Sequence, residues 1–238
     1  MKRKSHFHFK KFSLHDDLCA MKVGTDSVLL GAWAHLDNPQ FILDIGAGSG
    51  LITLMMAQRS GPTAHIDGVE MERQDAMQAT QNALECPWSE KISIHHASIQ
   101  KFTSPHLYDI VISNPPYFIN SAHPPDTGRV HTRHTVSLDY NTLLKNIKRF
   151  LSKDGNANVI LPAIEGQLFI SLAREYGFFP TRNVLFRTRP EKAAERLLLE
   201  LRLTPAIIEI GEILLYRDGS NWSKEYRKLV EEFYLATF

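Results

Sequence analysis

Asn114-Pro115-Pro116-Tyr117 puts an amide, two prolines and a phenol ring in four consecutive positions. The amide brings a carbonyl acceptor, the prolines bring carbonyls without an N–H, and the ring brings a flat apolar face. That set suits a planar molecule with an amino group on its edge. The preceding residues 108–113, Tyr-Asp-Ile-Val-Ile-Ser, read as a buried strand: a short apolar, β-branched run closed by a turn signal. Proline cannot continue the ladder. The chain therefore leaves the sheet at its carboxyl edge, where open α/β sheets hold ligands. By itself the tetrapeptide also fits an ordinary proline-terminated strand, so the rest of the chain has to decide.

A second group lies upstream. Asp44-Ile45-Gly46-Ala47-Gly48-Ser49-Gly50 joins a strand to a helix. Glycines at such a joint let the backbone approach a ligand, and the helix start offers free N–H groups. The spacing is G-x-G-x-G rather than the G-x-G-x-x-G expected for a dinucleotide pyrophosphate. Asp44, just before the first glycine, suits a cofactor whose polar end carries an ammonium group. Glu70 closes the next strand, where a carboxylate can accept both hydroxyls of a ribose. Met71 beside it either lies against a purine face or packs in the core.

The elements that position these groups alternate regularly. Strands are expected at 41–45, 63–69, 91–95, 109–113 and 157–161, with helices at 51–59, 73–85, 138–151 and 166–176. This pattern argues an α/β fold with a parallel sheet covered on both faces. A helix at 27–33 precedes it. The last third changes character: 181–187, 196–203 and 209–217 are strand-like before a helix at 224–235. Antiparallel strands added to the parallel sheet are the expectation.

Bulk properties exclude several classes. The chain of 238 residues fits one large α/β domain or a domain with a small extension. Two cysteines, Cys19 and Cys86, and eleven unclustered histidines give no metal-ligand or disulfide spacing, so no metal is expected. No apolar stretch approaches membrane length and no signal-peptide pattern follows Met1. A soluble, cytoplasmic protein of a reducing compartment is the expectation, with no membrane association and no obligate protein partner. The net charge of +1 hides a basic N-terminus. Lys2, Arg3, Lys4, Lys10 and Lys11 are interleaved with Phe7 and Phe9, a composition suited either to nucleic acid or to a solvated terminus.

Together, residues 44–50, Glu70 and 114–117 resemble a class I S-adenosylmethionine-dependent methyltransferase. The N-P-P-Y tetrapeptide is similar to that of enzymes that methylate exocyclic or side-chain amide nitrogens. Residues 9–12, 19–26, 29–34, 43–54, 87–88, 113–118, 133–135 and 196–201 resemble one family more narrowly, the bacterial tRNA(Val) adenine-37 N6-methyltransferases. The resemblance covers nearly the whole chain, and the N-terminal block is its most specific part. It implies a Rossmann-like class I methyltransferase fold, α/β, with a mostly parallel seven-stranded sheet and antiparallel C-terminal strands. Residues 1–40 would be a basic arm and cofactor-covering segment, and 41–238 the methyltransferase domain.

The resemblance also implies roles. S-adenosyl-L-methionine is the expected cofactor, held by Asp26, Asp44, Gly46, Gly48, Gly50, Glu70, Met71, Ser98 and Asn114. Asp26 would hold the methionine portion, although it also reads as a helix N-cap. Ser98 departs from the family, which usually meets the cofactor adenine with an aspartate there; serine has less reach and no charge. Asn114, Pro115 and Tyr117 would be catalytic. The tRNA substrate would meet Lys10, Lys11, Arg129, Arg133 and His134, whereas His131 reads as part of a solvated loop. Two other N-P-P-Y acceptors compete, the N2 of a ribosomal RNA guanine and the glutamine amide of a protein. The first 40 residues are too short for the helical domain that accompanies glutamine methylation.

Overall fold

The computed structural model describes residues 6–19, 21–117 and 139–235. From His6 onward the described N-terminal segment is built into the fold. Strands β1 (His6–His8) and β2 (Ser13–His15) pair as an antiparallel hairpin. Its Phe9, Phe12 and Leu14 are buried, and Phe9 bridges to Tyr234 near the C-terminus. Aromatic residues that looked like a nucleic-acid arm are used as core.

Helix α1 (Thr25–Trp33) leads to β3 (Phe41–Ile45), α2 (Leu51–Arg59), β4 (His65–Glu70), α3 (Arg73–Glu85), β5 (Ile92–His96) and β6 (Tyr108–Ser113). There follow α4 (Tyr140–Phe150), β7 (Leu151–Pro162), α5 (Ala163–Glu175), β8 (Phe179–Arg187), β9 (Arg196–Arg202), β10 (Glu209–Leu214) and α6 (Lys224–Val230). The central strands are near-continuous apolar runs, as a sheet covered on both faces requires. One face is covered by α1, α2 and α6, the other by α4 and α5.

The sheet order is β10-β8-β9-β7-β6-β3-β4-β5. It contains all eight strands expected from the residue pattern, one more than the seven-stranded sheet implied by the resemblance, with β10 at the edge. Of the three C-terminal strands only β9 opposes the rest: it is antiparallel to β7 and β8, while β10 is parallel to β8. Direction reverses at each short connection, so β8 and β10 agree and β9, inserted beside β7, opposes both.

Two boundaries moved for identifiable reasons. β7 starts directly after α4 because Lys153-Asp154-Gly155, which resembles a turn, is absorbed into a register irregularity opposite Tyr108 and Ile110. A Cβ on Gly155 would stand 2.7 Å from the Asp109 carbonyl. Helix α6 stops at Val230 because the chain must turn to bring Tyr234 to Phe9. Among the described residues no helix is long and apolar enough to cross a membrane, and no group of His, Cys, Asp or Glu is arranged to hold a metal.

Candidate active site

Strands β4 and β6 flank β3 on opposite sides. The chain winds outward from β3 through β4 and β5, then returns to lay β6 on the other side. The strand order thus reverses at β3, and a crevice opens at the carboxyl ends there. Ser113 Oγ donates to the Ile45 carbonyl at 2.8 Å and ties the two strand ends together.

On the β3 side, Gly46 and Gly48 take φ of 75° and 56°, conformations that L side chains rarely adopt. A Cβ at either would meet nothing within 4 Å, so both backbones face open space. Asp44 is fully buried. Its Oδ2 accepts from Thr53 Oγ1 at 2.7 Å, while Oδ1 is buried without a partner. Burial pushes its carboxyl up to about 7; the Thr53 hydroxyl opposes this shift and Glu70 adds to it.

Glu70 is also buried. Its Oε2 accepts from Gly48 N–H and its Oε1 from Glu72 N–H, each at 2.8 Å. Burial raises its carboxyl above the usual range against the pull of those N–H groups. Met71, 40% exposed, follows it. Ala97 N–H donates to the Glu70 carbonyl at 2.9 Å, which brings Ser98 to the same strand end. The fold thus gathers Asp44, the glycines, Glu70, Met71 and Ser98 along one edge.

On the β6 side, Asn114 Nδ2 donates to Ser27 Oγ at 3.0 Å. Tyr117 OH reaches Asn114 Oδ1 at 3.1 Å and Asp26 Oδ2 at 2.6 Å. Arg196 Nε donates to that same Asp26 oxygen at 2.8 Å, and its guanidinium carbon lies 5.2 Å from the Tyr117 ring centroid. Burial, reinforced by the Asp26 carboxylate, holds the Tyr117 phenol above its ordinary range, so it stays protonated. Pro115 is buried and Pro116 exposed.

Three participants were not singled out from sequence. Ser27 and Arg196 complete the Asn114–Tyr117 network. Asn82, buried in α3, donates from Nδ2 to the carbonyls of Ser49 and His15 at 2.8 Å and so joins the glycine loop to β2. Arg196 leaves one sequence signal, a cation heading the apolar run Leu197-Leu198-Leu199. A polar residue within α3 leaves none. Lys10 and Lys11 lie elsewhere. Lys11 Nζ meets Glu232 at 2.7 Å and Lys10 donates to the Glu231 carbonyl. Gln58, near the end of α2, donates to the Glu232 carbonyl. This places both lysines beside the far end of α2, about 13 Å along its axis from the glycine loop. Arg129, Arg133, His134 and His131 lie outside the described residues.

The crevice and glycine cradle are those of a ligand-binding open α/β sheet, and comparisons with known proteins give the class. The family model for the methyltransferase small domain matches residues 19–160. A predicted O-methyltransferase from Agrobacterium tumefaciens superposes with a TM-score of 0.70 at 20% identity, covering 87% of this chain and 96% of its own. A putative RNA methyltransferase from Pyrococcus horikoshii gives 0.52 at 18% identity, covering 74% and 79%. These structures speak to the fold alone.

Sequence relatives are nearer. The tRNA1(Val) (adenine(37)-N6)-methyltransferase of Tolumonas auensis is 40% identical over 229 residues, 96% of each chain. That of Yersinia pseudotuberculosis is 43% identical over 231 residues, 96% of this chain and 92% of its own. The chain belongs to the tRNA1(Val) (adenine(37)-N6)-methyltransferase family.

Proposed function

We propose that this protein transfers a methyl group from S-adenosylmethionine to the exocyclic N6 of adenine 37, beside the anticodon of tRNA(Val). The observation that carries the reading is the placement of Asn114 and Tyr117 across the switch-point crevice from the glycine cradle. The acceptor nucleotide follows the names of the relatives.

The residues present fit the cofactor. Gly46 and Gly48 leave open space, Asp44 Oδ1 lacks a partner, and the Glu70 carboxylate, with about four acceptor positions, is held by backbone N–H groups that do not use them all. Asp44 and the loop would hold the amino-acid end, Glu70 the ribose, and Met71 and Ser98 the purine. Asp26 is compatible with a share in the methionine end, because its bonds to Tyr117 and Arg196 both use Oδ2. When bound, S-adenosylmethionine supplies an electrophilic methyl group.

The protein's task is to prepare a poor nucleophile. The adenine amino lone pair delocalises into the ring, and two acceptors aimed at its hydrogens favour a more pyramidal nitrogen. Asn114 Oδ1 and the Pro115 carbonyl are those acceptors. The single Tyr117 hydroxyl proton goes to the nearer acceptor, Asp26 Oδ2 at 2.6 Å, so Asn114 Oδ1, 3.1 Å from that hydroxyl, keeps its acceptor positions for the base. The Tyr117 ring stacks the base and fixes its plane, so that nitrogen and methyl can meet at about 3–3.5 Å. Tyr117 remains neutral and takes no proton; the methylated nitrogen is acidic enough to release its proton to water.

An anticodon-loop adenine is cheaper to splay out than one in a duplex. Arg129, Arg133 and His134 follow the motif in sequence and are proposed to contact phosphates. Lys10 and Lys11, on the far edge, would serve a distal part of the RNA. Incubation of unmodified total tRNA with methyl-labelled cofactor tests the reading. Label recovered as N6-methyladenosine is expected. Label recovered as N2-methylguanosine, or only in protein, would overturn it.

A further inference from the structure

We infer that Arg196 is a positioning residue for the acceptor base, setting the plane of the Tyr117 ring through Asp26. The inference rests on the reading above, in which Tyr117 stacks a planar base.

Topology brings Arg196 to the crevice. It is the first residue of β9, which alone runs against its neighbours, so its start lies beside their ends. Arg196 pairs with Pro162, the last residue of β7, and with Phe186 near the end of β8. A parallel strand in this place would deliver its last residue here instead. The reversal puts a cation from the C-terminal third opposite the first turn of α1.

The geometry there is specific. One oxygen, Asp26 Oδ2, accepts from both Tyr117 OH and Arg196 Nε. The next residue, Ser27, accepts from the Asn114 amide. The first turn of α1 therefore grips both ends of the tetrapeptide, and Arg196 grips that turn. The guanidinium also lies over the Tyr117 ring. With one face of the ring so covered, the base is left the other. The side chains of Arg196 and Asp26 are 28% and 21% exposed. A pair so largely withdrawn from solvent is held by good geometry and added hydrogen bonds, which suits a role in orientation.

Single-turnover methylation of unmodified tRNA by wild type, Arg196→Gln, Arg196→Lys, Tyr117→Phe and the Gln/Phe double variant tests this, alongside calorimetric binding of S-adenosylhomocysteine. Arg196→Gln should slow the step by about tenfold, a typical coupling for residues in one network, and leave cofactor affinity within about twofold. Arg196→Lys keeps the charge without the planar fork and should be slowed by about threefold; it also carries the test if the Gln variant folds poorly. Tyr117→Phe keeps the ring but not the hydroxyl that meets Asp26. In that background the further loss from Arg196→Gln should shrink below about threefold. Equal losses in both backgrounds, or Gln and Lys variants as fast as wild type, overturn the inference. Wild-type protein that labels no tRNA overturns the underlying reading as well.

Discussion

Asn114 has a partner at each end of its amide: Nδ2 donates to Ser27, and Oδ1, the acceptor proposed for the base, lies 3.1 Å from Tyr117 OH. Asn114→Ala should therefore abolish methyl transfer in a tRNA assay while S-adenosylhomocysteine affinity falls by no more than about threefold, since Asn114 is one of several groups expected to hold the cofactor. A variant with full activity would remove the mechanism. Asp44 gives a pH prediction. Its carboxyl is raised to about 7 by burial, so the folded protein holds this proton where the unfolded chain has released it. The resulting stability is complete below the unfolded carboxylate pKa and is lost as pH rises towards about 7. Cofactor affinity should run the opposite way, rising from pH 6 to 8 as the carboxylate forms; calorimetry across that range should show Asp44→Asn flattened.

Residue types were legible in the sequence where their partners are local. The glycine loop and the Asn-Pro-Pro-Tyr turn declare themselves within a few positions. The Arg196–Asp26 pair spans 170 positions and the Tyr117–Asp26 bond 91. No periodicity records such contacts; they exist only once α1 and β9 are folded against the same edge.

At the scale of elements, the site depends on how closely α5 lies on β9. A Cβ on Gly166 would stand 2.6 Å from Leu197 Cδ2 and 2.9 Å from its Cβ. Leu197 is fully buried and adjoins Arg196. Gly166→Ala should destabilise the fold by about 1–3 kcal/mol through overpacking, read by denaturant unfolding. An unchanged midpoint would show that this contact relaxes freely. The alternating strands and helices from β3 to β6 were readable because each is a local pattern of burial. The β1–β2 hairpin was not: its Phe and Lys residues look like an RNA-binding arm until Tyr234 and the core supply their partners. Antiparallel pairing in the last third was expected; that β9 alone is reversed follows from its insertion between β7 and β8.

Over the whole molecule, the two edges of the sheet differ in what they offer RNA. The crevice lies at the carboxyl edge, whereas Lys10 and Lys11 lie at the far end of α2, with Lys11 already paired to Glu232. Binding of unmodified tRNA should weaken steeply with salt, and Arg133→Ala should reduce the log–log slope by about 0.7, the value of one lost phosphate contact on a single strand. Lys11→Ala should change it less, because its charge is already shared. A flat salt dependence would place recognition outside phosphate contacts.

In the proposed function the crevice presents the N6 of adenine 37 to the methyl donor. Its most direct test compares methylation of a tRNA(Val) transcript with one in which guanine replaces adenine 37. Label is expected in the first, recovered as N6-methyladenosine, and none above background in the second. Equal labelling of both transcripts would contradict it.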